Sequence, residues 1–312
     1  MRLENAVLVP EILIRQLEKH IILTAMKVKQ IDRVELKRRG FISSFSGSSG
    51  IIYSDGFVYI IADKSNVLSV FDVNDQTLKK EISLKADGSL EANVEKKYKP
   101  DFEAFSRHGN RYFIFGSGSA KNRFDLVILD ERFDFVERLS IKNLYLAMME
   151  STGIDRDNFN IEGVILEEDF ALFFNRGNGP DRKNGIIKVR NWLTDEPEVA
   201  GYSSIVLPDI NGRHAAFSDA ILHDGCICFL ANGEDTQSVY DDGAVAGSAF
   251  GMMDLSTFEL LEFHIIDHSM KLEGLAVYKD LKEEHKMVFI VCDDNDFEHQ
   301  TIISQLTVFW RD

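Results

Sequence analysis

One short pattern recurs five times along this chain, and its first residue is acidic in four of the five copies. The copies are Ser49-Gly50-Ile51, Glu103-Ala104-Phe105, Glu162-Gly163-Val164, Asp219-Ala220-Ile221 and Glu273-Gly274-Leu275. They are separated by 54, 59, 57 and 54 residues. A period this long matches a four-stranded propeller blade. A unit of that kind cannot bury its own apolar face, so it must stack on copies of itself. The acidic residues then begin the innermost strands and crowd one axis.

The first unit reads most clearly. Gly50 to Tyr53 is a short strand, and Ser54-Asp55-Gly56 is a turn. Asp-Gly tolerates the positive φ angles that a tight hairpin needs. Phe57 to Ala62, Val67 to Asp72 and Leu78 to Leu84 supply three more strands. The other units follow the same order, but the fifth lacks its outermost strand. The segment Ile31 to Arg38 alternates Val34 and Leu36 with charged neighbours and reads as a lone strand. The expected fold is all-β: one five-bladed propeller domain over residues 1–312, closed by this N-terminal strand. Closure of this kind removes exposed sheet edges. Six blades, with His20 to Lys29 helping to build the extra one, are the alternative. Pro10 to Lys19 and Lys142 to Ile154 read as helical. A β-sandwich also explains short strands, but not an acidic residue recurring at the start of each unit.

Propeller topology sorts the polar residues. Glu103, Glu162, Asp219 and Glu273 start the inner strands, with Ser49 in the fifth position, and are the candidate metal ligands and their companion. The loops after the second strands bring Asp63 and Lys64, then Arg123, then Asn175 and Arg176, then Asn232 and Glu234, then Asp293. All of these share one mouth and are candidate ligand-binding residues. His214 and Arg176 are the candidates for catalysis. Like charges converging on an axis raise one another's pKa. Protonation, pairing with Arg176 or Lys64, or a bound cation must compensate them. A hard cation such as Ca²⁺ suits carboxylate oxygens in irregular numbers. The alternative is that each acid only staples the backbone of neighbouring blades.

Composition narrows the partners. Lys and Arg number 35 against 51 Asp and Glu, a formal charge of −16. Such a surface repels phosphate backbones and anionic lipid, so nucleic acid and membranes are not expected partners. Cys226 and Cys228 lie two apart in an apolar run and read as small buried residues. No zinc spacing, secretory signal or membrane-length apolar run is present, and the expected location is the cytoplasm. Gly-x-Ser-x-Gly, His-Glu-x-x-His and Walker-type motifs are absent.

The repeats carry a family resemblance. Asn160-Ile161-Glu162-Gly163, Lys271-Leu272-Glu273-Gly274, the run Phe289 to Asp294 and the segment Ala231 to Gly251 resemble bacterial phytase-like β-propellers. More distantly they are similar to calcium-dependent propellers of the gluconolactonase and regucalcin type. The resemblance implies that Glu162 and Glu273 bind a metal, and that the chemistry, if any, is metal-assisted hydrolysis of a small lactone, ester or phosphoester. A non-catalytic binding or scaffold propeller is the alternative.

Overall fold

The structure is a computed structural model that describes residues 30–42, 47–236, 238, 243–295 and 300–311. It contains five four-stranded antiparallel sheets arranged as the blades of a propeller. The first blade is β2 (Ser48–Ser54), β3 (Phe57–Ala62), β4 (Val67–Asp72) and β5 (Thr77–Ser83). The second is β6 (Phe102–His108), β7 (Arg111–Gly116), β8 (Asp125–Leu129) and β9 (Phe135–Ser140). The third is β10 (Ile161–Leu166), β11 (Ala171–Asn175), β12 (Gly185–Arg190) and β13 (Glu198–Ser204). The fourth is β14 (Ala215–His223), β15 (Cys226–Asp235), β16 (Ala244–Asp254) and β17 (Leu260–Asp267). The fifth is β18 (Leu272–Leu281), β19 (Lys286–Asn295), β20 (Gln300–Trp310) and, from the other end of the chain, β1 (Ile31–Ile42).

The closing strand behaves as its alternation requires. β1 runs antiparallel to β20, with Val34 opposite Val308 and Leu36 opposite Leu306. The ring is therefore five blades, not six. Residues 1–29, including Pro10 to Lys19 and the segment weighed for an extra blade, lie outside the described residues.

Local chemistry explains the hairpins. Asp55 and Gly56 have φ of 51° and 91°, and Asp224 and Gly225 have 49° and 78°. Both central residues of a primed turn need positive φ, which Asp-Gly supplies at little strain. The helix α1 (Lys142–Thr152) lies between the second and third blades in sequence. It buries Leu144, Tyr145 and Met148, and the Tyr145 hydroxyl donates to the Gly116 carbonyl at 2.7 Å. Gly153, at φ 70°, ends the helix and returns its N–H to Met149.

The core lies between blades. One layer joins Ile51, Ile60 and Phe71 of the first blade to Ala276, Ile290 and Ile303 of the fifth. The next joins Leu275, Phe289 and Leu306 of the fifth to Cys228, Leu230 and Phe250 of the fourth. The three cysteines are free and buried in such layers. Leu306 is fully buried at the β20 face of the closing blade. Leu306→Ala is expected to lower stability by about 2–5 kcal/mol through lost burial and the cavity it leaves. Equilibrium denaturation in urea measures this, and removal of residues 1–42 should abolish the cooperative transition altogether.

Candidate cation site at the axial mouth

Each inner strand begins with the same irregularity. The pairing of β2 with β3 jumps from Ser48 to Gly50, and that of β6 with β7 from Phe102 to Ala104. The jumps in the other blades skip Glu162, Ser218 and Glu273. A bulge of this kind re-aims the extra side chain. Ser49, Glu103, Glu162, Ser218 and Glu273 are thus the equivalent positions. The fourth blade is shifted by one residue from the sequence alignment, which placed Asp219 in this ring.

Asp219 has a different task. Its Oδ1 accepts the Ala220 N–H and its Oδ2 accepts the Leu275 N–H on the neighbouring blade, both at 2.7 Å. It is a staple between β14 and β18. Burial nevertheless raises its pKa well above the usual carboxylate range, against those two N–H donors. The bulge explains the misalignment: one inserted residue changes which positions face the axis. The glycine after Glu162 answers the same crowding. A Cβ on Gly163 would come within 2.8 Å of the Ala220 nitrogen.

The three glutamates converge. Glu103, Glu162 and Glu273 each place a carboxylate oxygen within 4.8 Å of the others, and Asp63, Asp101 and Glu103 form a second such group. Cationic side chains thread between them. Arg176 donates from Nη1 to Glu162 at 3.0 Å and reaches Glu234 from Nη2 at 2.7 Å. Asn160 donates to the same Glu162 oxygen at 2.6 Å. Lys271 lies 3.1 Å from Glu273 and 3.5 Å from both Glu234 and Asp294. Lys99 bridges Asp63 and Asp101, and Arg123 holds Asp101 at 2.7 Å. Among the described residues, neither a hydrogen bond nor an ion pair holds the Glu103 carboxylate.

Electrostatics follow this wiring. Burial, and then the neighbouring Glu162 charge, push Glu103 well above the ordinary carboxylate range. Burial also raises Glu273 strongly and Glu162 less, with Lys271 and Arg176 respectively as the largest opposing charges. Burial would raise Asp101 too, but Lys99 and Arg123 together bring it below its usual value. Asp63 is raised by burial, because Lys99 offsets that only in part and Asp101 repels it.

The other residues named from sequence fall into place around this centre. Ser49 lines the cavity, and its hydroxyl donates to the Gly47 carbonyl. Asn175 stitches loops, accepting the Asn160 N–H and donating to the Asn158 and Lys183 carbonyls. Asn232 stands behind Glu273, donating to it at 3.4 Å and to the Leu272 carbonyl at 3.1 Å. Asp293 accepts the Lys271 N–H at 2.8 Å, and burial lifts its pKa to about 6. The Lys64 side chain is outside the lining of the axial cavity. His214 is exposed, pairs with Asp209 at 3.1 Å, and faces a separate small cavity beside Arg176 and Glu234. The long polar loop of the fourth blade lies partly outside the described residues.

Lys99, Asp101, Asn160 and Lys271 were not singled out as site residues from sequence. Three of them share a simple signal. Asp101, Asn160 and Lys271 each stand two residues before a bulged glutamate, with an apolar residue between. Period-two alternation puts such pairs on one side.

The cavity enclosed by these groups measures about 40 Å³. Its lining carries six carboxylates, Asp63, Asp101, Glu103, Glu162, Glu273 and Asp294, against the four cations Lys99, Arg123, Arg176 and Lys271. The formal excess is two negative charges. A void of this size holds about three water-sized spheres. It fits an ion with one or two waters, not a sugar or a lactone ring. Oxygens within 4.8 Å of one another can share one ion that binds oxygen at about 2.3–2.6 Å, the calcium range.

The match to known sequences covers most of this chain. A family of unknown function (DUF6929) matches residues 44–308. The chain belongs to that family. No curated protein matches it. Among solved structures, the Malassezia sympodialis allergen Mala s 1 is 10% identical, with a TM-score of 0.52 over 87% of this chain and 96% of that one. Myxococcus xanthus glutaminyl cyclase is 9% identical, with a TM-score of 0.51 over 91% and 97%. Kuenenia stuttgartiensis hydrazine synthase is 11% identical at a TM-score of 0.39; this chain spans only 58% of its length. At these identities the likeness concerns the fold. No helix among the described residues is long and apolar enough to cross a membrane.

Two outcomes follow for the metal-free protein. Raised carboxylate pKa values mean that the folded state holds protons the unfolded state has already released. Stability contributed this way is complete below the unfolded value near 4.5 and is lost as pH rises towards the folded one. Glu103→Gln removes that term, so its melting temperature should exceed the wild type's at neutral pH and fall less steeply as pH rises above about 4.5. Melting curves across pH 4 to 8 in chelator measure this. Asp219→Ala should instead destabilise by about 1–3 kcal/mol, by leaving buried N–H groups unpaired.

Proposed function

We propose that this propeller is a divalent-cation-binding protein whose ion, Ca²⁺ by preference, sits among Glu103, Glu162 and Glu273 at the axial mouth. One observation carries this reading: the half-buried Glu103 carboxylate makes neither a hydrogen bond nor an ion pair among the described residues, feels Lys99 only at longer range, and has two other glutamate oxygens within 4.8 Å. The excess of two negative charges in the lining is the charge a divalent cation supplies. Three carboxylate oxygens in an irregular cluster suit Ca²⁺, which takes flexible geometry, better than Mg²⁺, which demands a regular octahedron. The resemblance of the Glu162-Gly163 and Glu273-Gly274 segments to calcium-dependent lactonase propellers points the same way.

The small cavity bears on the chemistry. A substrate cannot enter beside the glutamates, so any small polar ligand would lie above the ion, against Lys99, Arg176 and Lys271. Metal-assisted hydrolysis of a lactone, ester or phosphoester would require the ion to expose a coordination position to that outer space. His214, paired with Asp209 beside the neighbouring cavity, is placed poorly as its base. Ion binding is accordingly the primary activity in this reading, and a staple-only role for the acids is its rival.

Calcium at about 100 times its Kd should add roughly 2.7 kcal/mol to the stability of the wild type. Glu103→Gln and Glu162→Gln should lose that increment, because a hard cation depends on ligand charge. Melting curves with calcium, magnesium and chelator, together with titration calorimetry, measure it. A wild-type melting temperature that ignores calcium would end the calcium reading and leave the staple role.

A further inference from the structure

The opposite half of the central channel is built from different chemistry. Below the glutamates, the five inner strands enclose a second cavity of about 480 Å³ that opens on the face of the hairpin turns. Every blade contributes to its wall: Ile52, Phe105, Ile165, Ile221 and Val277 come one from each inner strand. Of the residues lining it, only Arg107 and Glu167 are charged, and both sit at the turn end of their strands. The Ser106 hydroxyl is already committed to the Val164 carbonyl. Each inner strand is also the end strand of its sheet. Its free edge presents main-chain N–H and C=O groups towards the axis.

We propose that this lower cavity is a binding site for a small uncharged molecule with an apolar body and one or two hydrogen-bonding groups. Its volume lies within the range of small-molecule sites, which are mostly apolar with a few polar anchors. The side chains supply the apolar surface, and main-chain groups of the strand edges, apart from the Leu275 N–H held by Asp219 and the Val164 carbonyl held by Ser106, supply the anchors. Two features select against charge. The charged residues of the lining, Arg107 and Glu167, are of opposite sign and both stand at the turn end, so the deeper wall offers a ligand charge no partner, and burying an unpaired charge is strongly unfavourable. The protein's formal charge of −16 further disfavours anions.

The test uses the full chain in chelator, with N-phenyl-1-naphthylamine as the uncharged probe and 8-anilinonaphthalene-1-sulfonate as its anionic counterpart. Fluorescence titration should show saturable binding of one equivalent of the uncharged probe, at least tenfold tighter than the sulfonate. Ile52→Ser and Ile221→Ser, both at partly exposed positions, should each weaken it several-fold. Calcium should leave probe affinity unchanged, since the ion site lies at the other mouth. Absence of saturable binding, equal affinity for the sulfonate, or undiminished binding by folded Ser variants would each overturn the proposal. Both Ser substitutions fall at partly exposed positions, and cooperative melting verifies that the variants fold.

Discussion

Mutual repulsion among Glu103, Glu162 and Glu273 is the interaction to which the rest of the upper channel is fitted. Two unit charges within 4.8 Å of each other repel by at least about 3.5 kcal/mol at an effective dielectric constant near 20. Three such pairs approach the whole stability of a typical domain, about 5–15 kcal/mol. The trio cannot all be ionised without help. The structure supplies help unevenly: Arg176 serves Glu162, Lys271 serves Glu273, and Lys99 and Arg123 serve the flanking aspartates. Glu103 is left to burial and to its neighbours' charges. That asymmetry sets Glu103 apart from its neutralised neighbours.

The geometry behind this asymmetry is a backbone one. A bulge at the start of every inner strand turns one side chain per blade towards the axis. Because the bulge recurs, the chemistry of the ring can vary without altering the fold. Serine occupies it in the first and fourth blades and glutamate in the other three. Where the following residue must let the next blade approach, Gly163 and Gly274 stand; where it can reach across instead, Asp219 grips the Leu275 N–H. The glycine of each Glu-Gly pair therefore reports packing between blades.

This explains what was legible in the sequence. The period, the Asp-Gly hairpins, the helix after the second blade and the closing strand all rest on local turn chemistry and alternation, which short segments carry in full. Glu103, Glu162 and Glu273 were legible because a repeat marks equivalent positions even when their partners are unknown. The fourth blade was misaligned by one residue because Asp219-Ala220-Ile221 imitates the acid–small–branched pattern, while the true equivalent, Ser218, is not acidic. A bulge leaves no mark in composition. Lys99 was harder still, since nothing in its neighbours shows that it folds inwards to meet Asp63 and Asp101. The pairing of Asp101, Asn160 and Lys271 with the glutamate two residues later was visible only as weak alternation.

The two halves of the channel show how one strand can serve two chemistries. Along β10, Glu162 stands at the upper mouth and Val164 to Leu166 line the lower cavity. The change takes one or two residues, because inner strands point a free edge and one set of side chains along the axis. A cation moving down the channel would leave the glutamates for Val164 and its apolar counterparts, where the carboxylate of the lining, Glu167, stands only at the turn end. The desolvation cost of an unpaired charge in such a place is large. An apolar molecule moving up meets the opposite barrier, a ring of carboxylates and bound cationic side chains. The channel thus joins two environments end to end, a charged upper mouth and an apolar lower one, separated by solvation rather than by a wall.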